Sequence, residues 1–175
     1  MTTDKPLLTG LFRDRASAER AYQSMSDRGY SKDDVNLVMS DETRTRHFSD
    51  DRSGVQTELG NKAAEGAGIG GAIGGSLGAI AAAVAAVGTS IALPGLGLVI
   101  AGPLAAAIAG AGAGAATGGI VGALIGWGIP EERVKQYDAA IKDGGILMAV
   151  RPRSDDDATY LENSWKSHSG EHVYR

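Results

Sequence analysis

From Gly66 to Pro130 the chain carries no charged side chain, and every Asp, Glu, Lys and Arg lies before or after that run. That feature constrains the architecture more than any motif. A stretch so long without charge or much polarity is not composed like a disordered linker. It is not composed like an ordinary hydrophobic core either, because glycine and alanine make up more than half of Gly66 to Gly128. Either lipid or other copies of the chain must surround it.

The glycines are ordered. Gly66, Gly70, Gly74 and Gly78 repeat every four residues, and so do Gly110, Gly114, Gly118, Gly122 and Gly126. Spacing of four puts each set on one stripe of a helix, and such stripes let two helix backbones approach closely. These nine are the predicted helix-packing residues. Between the two runs, Thr89, Ser90, Pro94, Gly95, Gly97 and Pro103 are turn or breaker residues. The pattern predicts a helical hairpin within residues 62–128, with arms from Lys62 to Gly88 and from Pro103 to Trp127. Each arm has about 25 residues and is ~37 Å long, enough to cross a hydrocarbon core of ~30 Å. Lys62 and Trp127 then fall at the membrane interface. Ile69, Ile73, Leu77, Ile80 and Val84 recur at spacings of four or three, which suits a lipid-facing side. Alanine and glycine contribute little to insertion, so a soluble homo-oligomer with the hairpins as its buried core is the alternative. An oligomeric pore ranks below both, since no charge on either arm would select ions.

The flanks read as two halves of one α+β domain. In residues 1–42, the apolar run Leu7 to Phe12 predicts a strand. Ala18, Ala21, Tyr22 and Met25 share a helix face, and Asp14 or Ser17 suits its N-cap. Val35, Leu37 and Met39 then alternate with Asn36 and Val38 as in a half-buried strand. Residues 43–61 show no period and read as a polar linker. In residues 129–175, Pro130, Glu131 and Glu132 open a helix carrying Val134, Tyr137 and Ile141 on one face. Ile146 to Val150 is a strand. Asp155 to Asp157 start a second helix, with Ala158, Leu161, Trp165 and His168 on one face, and His172 to Arg175 form a last strand. The predicted fold is α+β: a ferredoxin-like four-stranded sheet with its helices on one face, interrupted by the long hairpin.

If the hairpin spans a membrane, both flanks lie on the same side. The central turn carries no Lys or Arg, whereas Lys62, Arg133 and Lys135 border the arms, which is the positive-inside pattern. Asp4, Lys5 and then Arg13 to Arg15 leave no room for a signal peptide. The expected location is the bacterial inner membrane with both termini cytoplasmic, or, for the soluble alternative, the cytoplasm.

Chemistry-bearing motifs are few. The 17 basic against 21 acidic residues give a net charge of −4, which argues against nucleic acid as a partner. With no cysteine, thiolate metal sites and cysteine nucleophiles are excluded. Gly66 to Gly71 matches GxGxxG, but no strand precedes it and no acid follows about 20 residues on. His168 to His172 matches HxxEH, yet Gly170 ends the helix that this motif needs. Asp155 to Asp157 suit an acidic helix start better than a calcium loop. Ser17, Ser24 and Ser26 have no nearby histidine in sequence. The expectation is a non-enzyme with no catalytic residue, metal, cofactor or small-molecule substrate.

The flanks resemble the heat-induced general stress protein family of bacteria, in "LLTGLFRDRASAERAYQSMSDRGYSKDDVNLVMSDE" from Leu7 to Glu42 and "GIPEERVKQYDAAIKDGGILMAVR" from Gly128 to Arg151. The block between them is similar to the glycine-zipper two-helix segments of bacterial envelope stress proteins, without the lipidation cysteine and signal peptide of their lipoproteins. The resemblance implies a bacterial origin and a stress-associated role, and carries no catalytic residue. Together with the hairpin it gives the expected function: a self-assembling membrane protein that stabilises or organises membrane, its partners being lipid and itself.

Overall fold

The computed structural model describes residues 6–48, 91–93, 97–103, 105, 121–122, 124–126 and 128–175. Strand β1 (Leu8–Phe12) leads into helix α1 (Arg15–Ser26), a short 3-10 turn and strand β2 (Val35–Ser40). Helix α2 (Asp41–Phe48) and strands β3 (Ile91–Leu93) and β4 (Leu98–Ala101) follow. Helix α3 (Glu131–Lys142), strand β5 (Ile146–Val150), helix α4 (Asp155–Ser167) and strand β6 (Glu171–Tyr174) complete an α+β fold.

Local chemistry accounts for the helices. Asp14 caps α1 by accepting from the Ser17 amide at 2.8 Å and from its hydroxyl at 2.8 Å. Burial raises the Asp14 pKa, but the Ser17 bonds and the nearby Arg20 outweigh it and hold the carboxyl below its usual value. Ser154 caps α4 by accepting from the Asp157 amide at 3.0 Å. Helix α2 occupies residues that the sequence pattern assigns partly to the 43–61 linker. Apolar periodicity does not hold it. The Ser40 hydroxyl accepts from the Thr43 amide at 3.0 Å, and Arg44 and Arg46 pair with Asp41 and Glu42 one turn back.

Among the described residues, all the strands pair antiparallel in one six-stranded sheet of order β3-β4-β2-β5-β1-β6. The four expected strands are present, and two more extend the sheet beyond β2. Helices cover both faces rather than one. Helices α1 and α4 lie on the first, where Trp165, Phe12, Met25 and Met148 share a core cluster. Helix α3 lies on the second, where Tyr137, Ile141, Val38 and Leu147 cluster with Ala105, Leu124 and Ile129. This second layer explains why β2 is buried from Val35 to Met39, Asn36 included, instead of alternating.

Tyr137 ties α3 to the β1–β6 end of the sheet. It is fully buried; its hydroxyl donates to the His172 carbonyl at 3.0 Å and lies 2.8 Å from Thr9 Oγ1. Burial raises its pKa, against the lowering effect of Thr9 and Arg133. Tyr137→Phe takes a donor from the His172 carbonyl and leaves the Thr9 hydroxyl only its 3.4 Å bond to the Tyr174 carbonyl, and a urea melt is expected to show a loss of about 1–2 kcal/mol.

The region read as the turn of a membrane hairpin is a β-hairpin on the sheet. Strand β4 pairs with β2 in the register Leu37↔Ala101 to Ser40↔Leu98, and β3 pairs with β4 from Ile91↔Ile100 to Leu93↔Leu98. The Asp41 amide also donates to the Gly97 carbonyl at 2.6 Å. A two-span hairpin would hold its turn ~30 Å from the flanks, across the hydrocarbon. Here the turn region is the immediate neighbour of a flank strand, ~4.8 Å away. Among the described residues, no helix is long and apolar enough to cross a membrane. These findings overturn the expected membrane-spanning hairpin, and with it the membrane-organising role. The physical reason is visible in Leu98, Val99 and Ile100, whose continuous apolar, partly β-branched run suits a strand buried on both faces.

Candidate functional site

Of the predicted helix-packing residues, Gly66, Gly70, Gly74, Gly78, Gly110, Gly114 and Gly118 lie outside the described residues, as do the predicted interface residues Lys62 and Trp127. Gly122 is half-buried and Gly126 exposed. Among the described residues, a Cβ added at either would meet no atom within 4 Å. Their neighbour Leu124 is buried in the second-face cluster, while Ile125 is 42% exposed. Ala105, near the other end of the same predicted arm, is buried in that cluster too.

What the structure brings together is the middle of the uncharged run and the edge of the sheet. The chain leaves β4 through Gly102, whose φ is +97°. A Cβ there would sit 2.2 Å from the Val35 carbonyl oxygen and 3.1 Å from Asn36 Cα. Only glycine permits both that backbone conformation and that approach. Strand β3 is the outermost strand at one end of the sheet, with β6 outermost at the other.

The two edges differ in character. Strand β6 is irregular: His172 has φ +48°, and its register with β1 shifts between Thr9 and Leu11. It is also wrapped in charge. Arg13 pairs with Glu171 at 3.0 Å, Arg175 pairs with Glu162, and the Arg133 guanidinium lies 4.6 Å from the Tyr174 ring centroid. These are the devices that stop an edge strand from pairing with another chain. Strand β3 is Ile-Ala-Leu, regular in register with β4, and sits deep inside the uncharged run.

A second feature is a cleft of about 470 Å³ between α1 and α4, walled by Glu19, Arg20, Asp27, Tyr160, Ser164 and His168 among others. Glu19 is only 2% exposed, and its carboxylate lies 3.5 Å from Arg15 Nε. Ser164 Oγ and His168 Nδ1 are 3.4 Å apart, one turn from each other on α4. That is long for a base activating a hydroxyl. A nucleophile would further require a group orienting the imidazole and donors for a developing oxyanion. Among the described residues, no group of three or more His, Cys, Asp or Glu side chains converges as a metal site.

The polar cluster beyond that cleft is a clamp between the two sequence halves. Tyr30 donates to Asp157 at 2.9 Å and accepts from the Arg153 amide at 2.8 Å. The Arg153 guanidinium lies 4.0 Å from the Tyr30 ring centroid and donates to the Gly29 carbonyl at 2.6 Å. Arg28 pairs with Asp157 at 3.1 Å while lying 4.1 Å from the Tyr160 ring centroid. Burial raises the Tyr30 pKa first; the Arg153 amide opposes and Asp157 reinforces that shift.

Sequence reasoning misses the β3–β4 hairpin and the role of Gly102. The signal is the apolar run Leu98–Ala101, of strand length and just after Gly97. The turn residues around it obscure that signal. No protein-family model, curated protein or solved structure matches the chain.

Proposed function

We propose that the chain is a non-enzymatic, self-associating protein of the bacterial cytoplasm with a stress-associated role, in which the uncharged run from Gly66 to Pro130 supplies the contact between copies. The observation that carries this reading is the anchoring of that run at its middle. Strands β3 and β4 hold it against β2, so the glycine-rich stretches on either side both start from the same sheet edge. A run made mostly of glycine and alanine offers little side-chain bulk to keep a second backbone away. The likeness of residues 7–42 and 128–151 to heat-induced general stress proteins supports the stress association. The order β2-β5-β1-β6 of the four flank strands supports a ferredoxin-like core, extended by β3 and β4.

Light scattering on the full chain in detergent-free buffer tests it. The expected mass is a multiple of 17.9 kDa that detergent does not change. Gly118→Leu, which puts a bulky side chain into a predicted packing stripe, is expected to lower that mass. A wild-type mass of 17.9 kDa at all concentrations would overturn the proposal.

A further inference from the structure

We infer that the cleft between α1 and α4 binds a short linear zwitterion, a tripeptide with both ends free, its carboxylate at Arg20 and its ammonium at Asp27. The inference stands apart from the self-association proposed above. The first support is the state of those two charges. Neighbouring charges on the two helices are matched: Arg15 with Glu19 at 3.5 Å, Arg28 with Asp157 at 3.1 Å, Lys166 with Glu162 at 2.6 Å. Arg20 instead donates to Ser17 Oγ at 3.1 Å, and Asp27 accepts from the Gln23 side-chain amide at 2.8 Å. Among the described residues, neither Arg20 nor Asp27 has an ion-pair partner, yet both line the same cleft.

The second support is their spacing. Arg20 and Asp27 are seven residues apart, and Asp27 keeps helical φ and ψ of −62° and −25°. Seven residues are close to two turns, so the two positions share one helix face, ~10 Å apart along the axis. An extended tripeptide spans ~10 Å between its terminal charges. A free amino acid carries both charges on one carbon and reaches only one pole. The cleft volume of about 470 Å³ lies within the usual range of small-ligand sites.

The third support is the opposite wall. Arg28, just past the end of α1, meets Asp157 and Tyr160 in the first half of α4, so the helices run antiparallel. Ser164 and His168, one and two turns beyond Tyr160, therefore come opposite Arg20. A guanidinium, a hydroxyl and an imidazole there can all donate to one carboxylate. At the other end, the Tyr160 ring is 37% exposed beside Asp27 and holds the Arg28 guanidinium 4.1 Å from its centroid, an environment that suits an ammonium. Glu19 is 2% exposed and held against Arg15. It is out of a ligand's reach, so Asp27 is the acidic pole.

Calorimetric titration of the full chain with trialanine tests this. Saturable binding is expected, with the amide and the N-acetyl derivative of trialanine each roughly tenfold weaker. Arg20→Gln should weaken trialanine roughly tenfold and leave the amide unchanged, because the amide has no carboxylate to lose. Asp27→Asn should weaken trialanine by a similar factor and leave the N-acetyl derivative unchanged. A merely structural effect would weaken every probe alike. Both side chains are exposed, so neither variant removes a core contact. Lack of saturation by trialanine at millimolar concentration would overturn the inference. Binding that ignores blocked ends, or that falls equally for all probes in either variant, would overturn it too.

Discussion

Trp165→Ala should lower the stability of the domain by about 3–5 kcal/mol, a large part of the roughly 5–15 kcal/mol typical of a folded domain. Trp165 is fully buried at the centre of the first face. It meets Phe12 edge to face, with ring centroids 5.8 Å apart and planes at 77°. The indole also lies over β1 where Gly10 has no side chain: a Cβ at Gly10 would be 2.7 Å from Trp165 Cε3. Truncation therefore empties a volume that neither β1 nor α1 can fill without moving. A thermal melt should show the loss as a Tm lower by roughly ten degrees or more, or as no folded baseline at all. The indole nitrogen is buried with no hydrogen-bond partner among the described residues. Trp165→Phe keeps most of the ring area and removes that unpaired donor, so its loss should be well under half that of the alanine variant. Equal losses for the two substitutions would mean that the nitrogen has a partner of consequence.

Gly102→Val should release the β3–β4 hairpin, at a local cost of about 3 kcal/mol or more. Two effects add. A β-branched residue at φ +97° is strained, and its Cβ would collide with the Val35 carbonyl at 2.2 Å. The backbone carbonyl of a buried strand cannot yield as a flexible side chain would. Hydrogen exchange should show the amides of β4 and of the β2 edge that faces it losing protection, while β1, β5 and β6 keep theirs. Gly122→Ala is the control, since among the described residues its new methyl would meet nothing within 4 Å. Unchanged protection in β4 for Gly102→Val would mean that the hairpin is not held at that crossing.

The flanks are legible because each of their elements carries its own signal. Ala18, Ala21, Tyr22 and Met25 repeat at helical spacing, Asp14 caps, and Ile146–Val150 is a bare apolar run. All of these stand in the structure where the pattern puts them. Helix α2 escapes the pattern because its hold is ionic and capping rather than periodic. The second helical layer escapes it because burial of Asn36 beside Val38 depends on what covers β2 from elsewhere in the chain. The hairpin strands are misread for a different reason. Pro94, Gly95, Gly97 and Pro103 punctuate both a helical turn and a β-hairpin, and the choice is made by the partner strand β2, far back in the chain. Seven of the nine predicted helix-packing glycines lie outside the described residues.

The placement of β1 between β5 and β6 also sets an order of events during synthesis. Phe12 pairs with Ile146 and Leu8 with Val150, while the other neighbour, β6, comes later still. At ~5–20 residues per second on the ribosome, β1 waits roughly 7 to 27 seconds for its first strand partner. During that interval the whole uncharged run emerges beside an unfinished sheet. The nascent chain is therefore at its most aggregation-prone just before β5 appears, and the segment from β5 to β6 acts as the clasp that closes the sheet. Long-range pairing of this kind is slow even in a released chain, so the molecule should lean on holding chaperones more heavily than its size suggests.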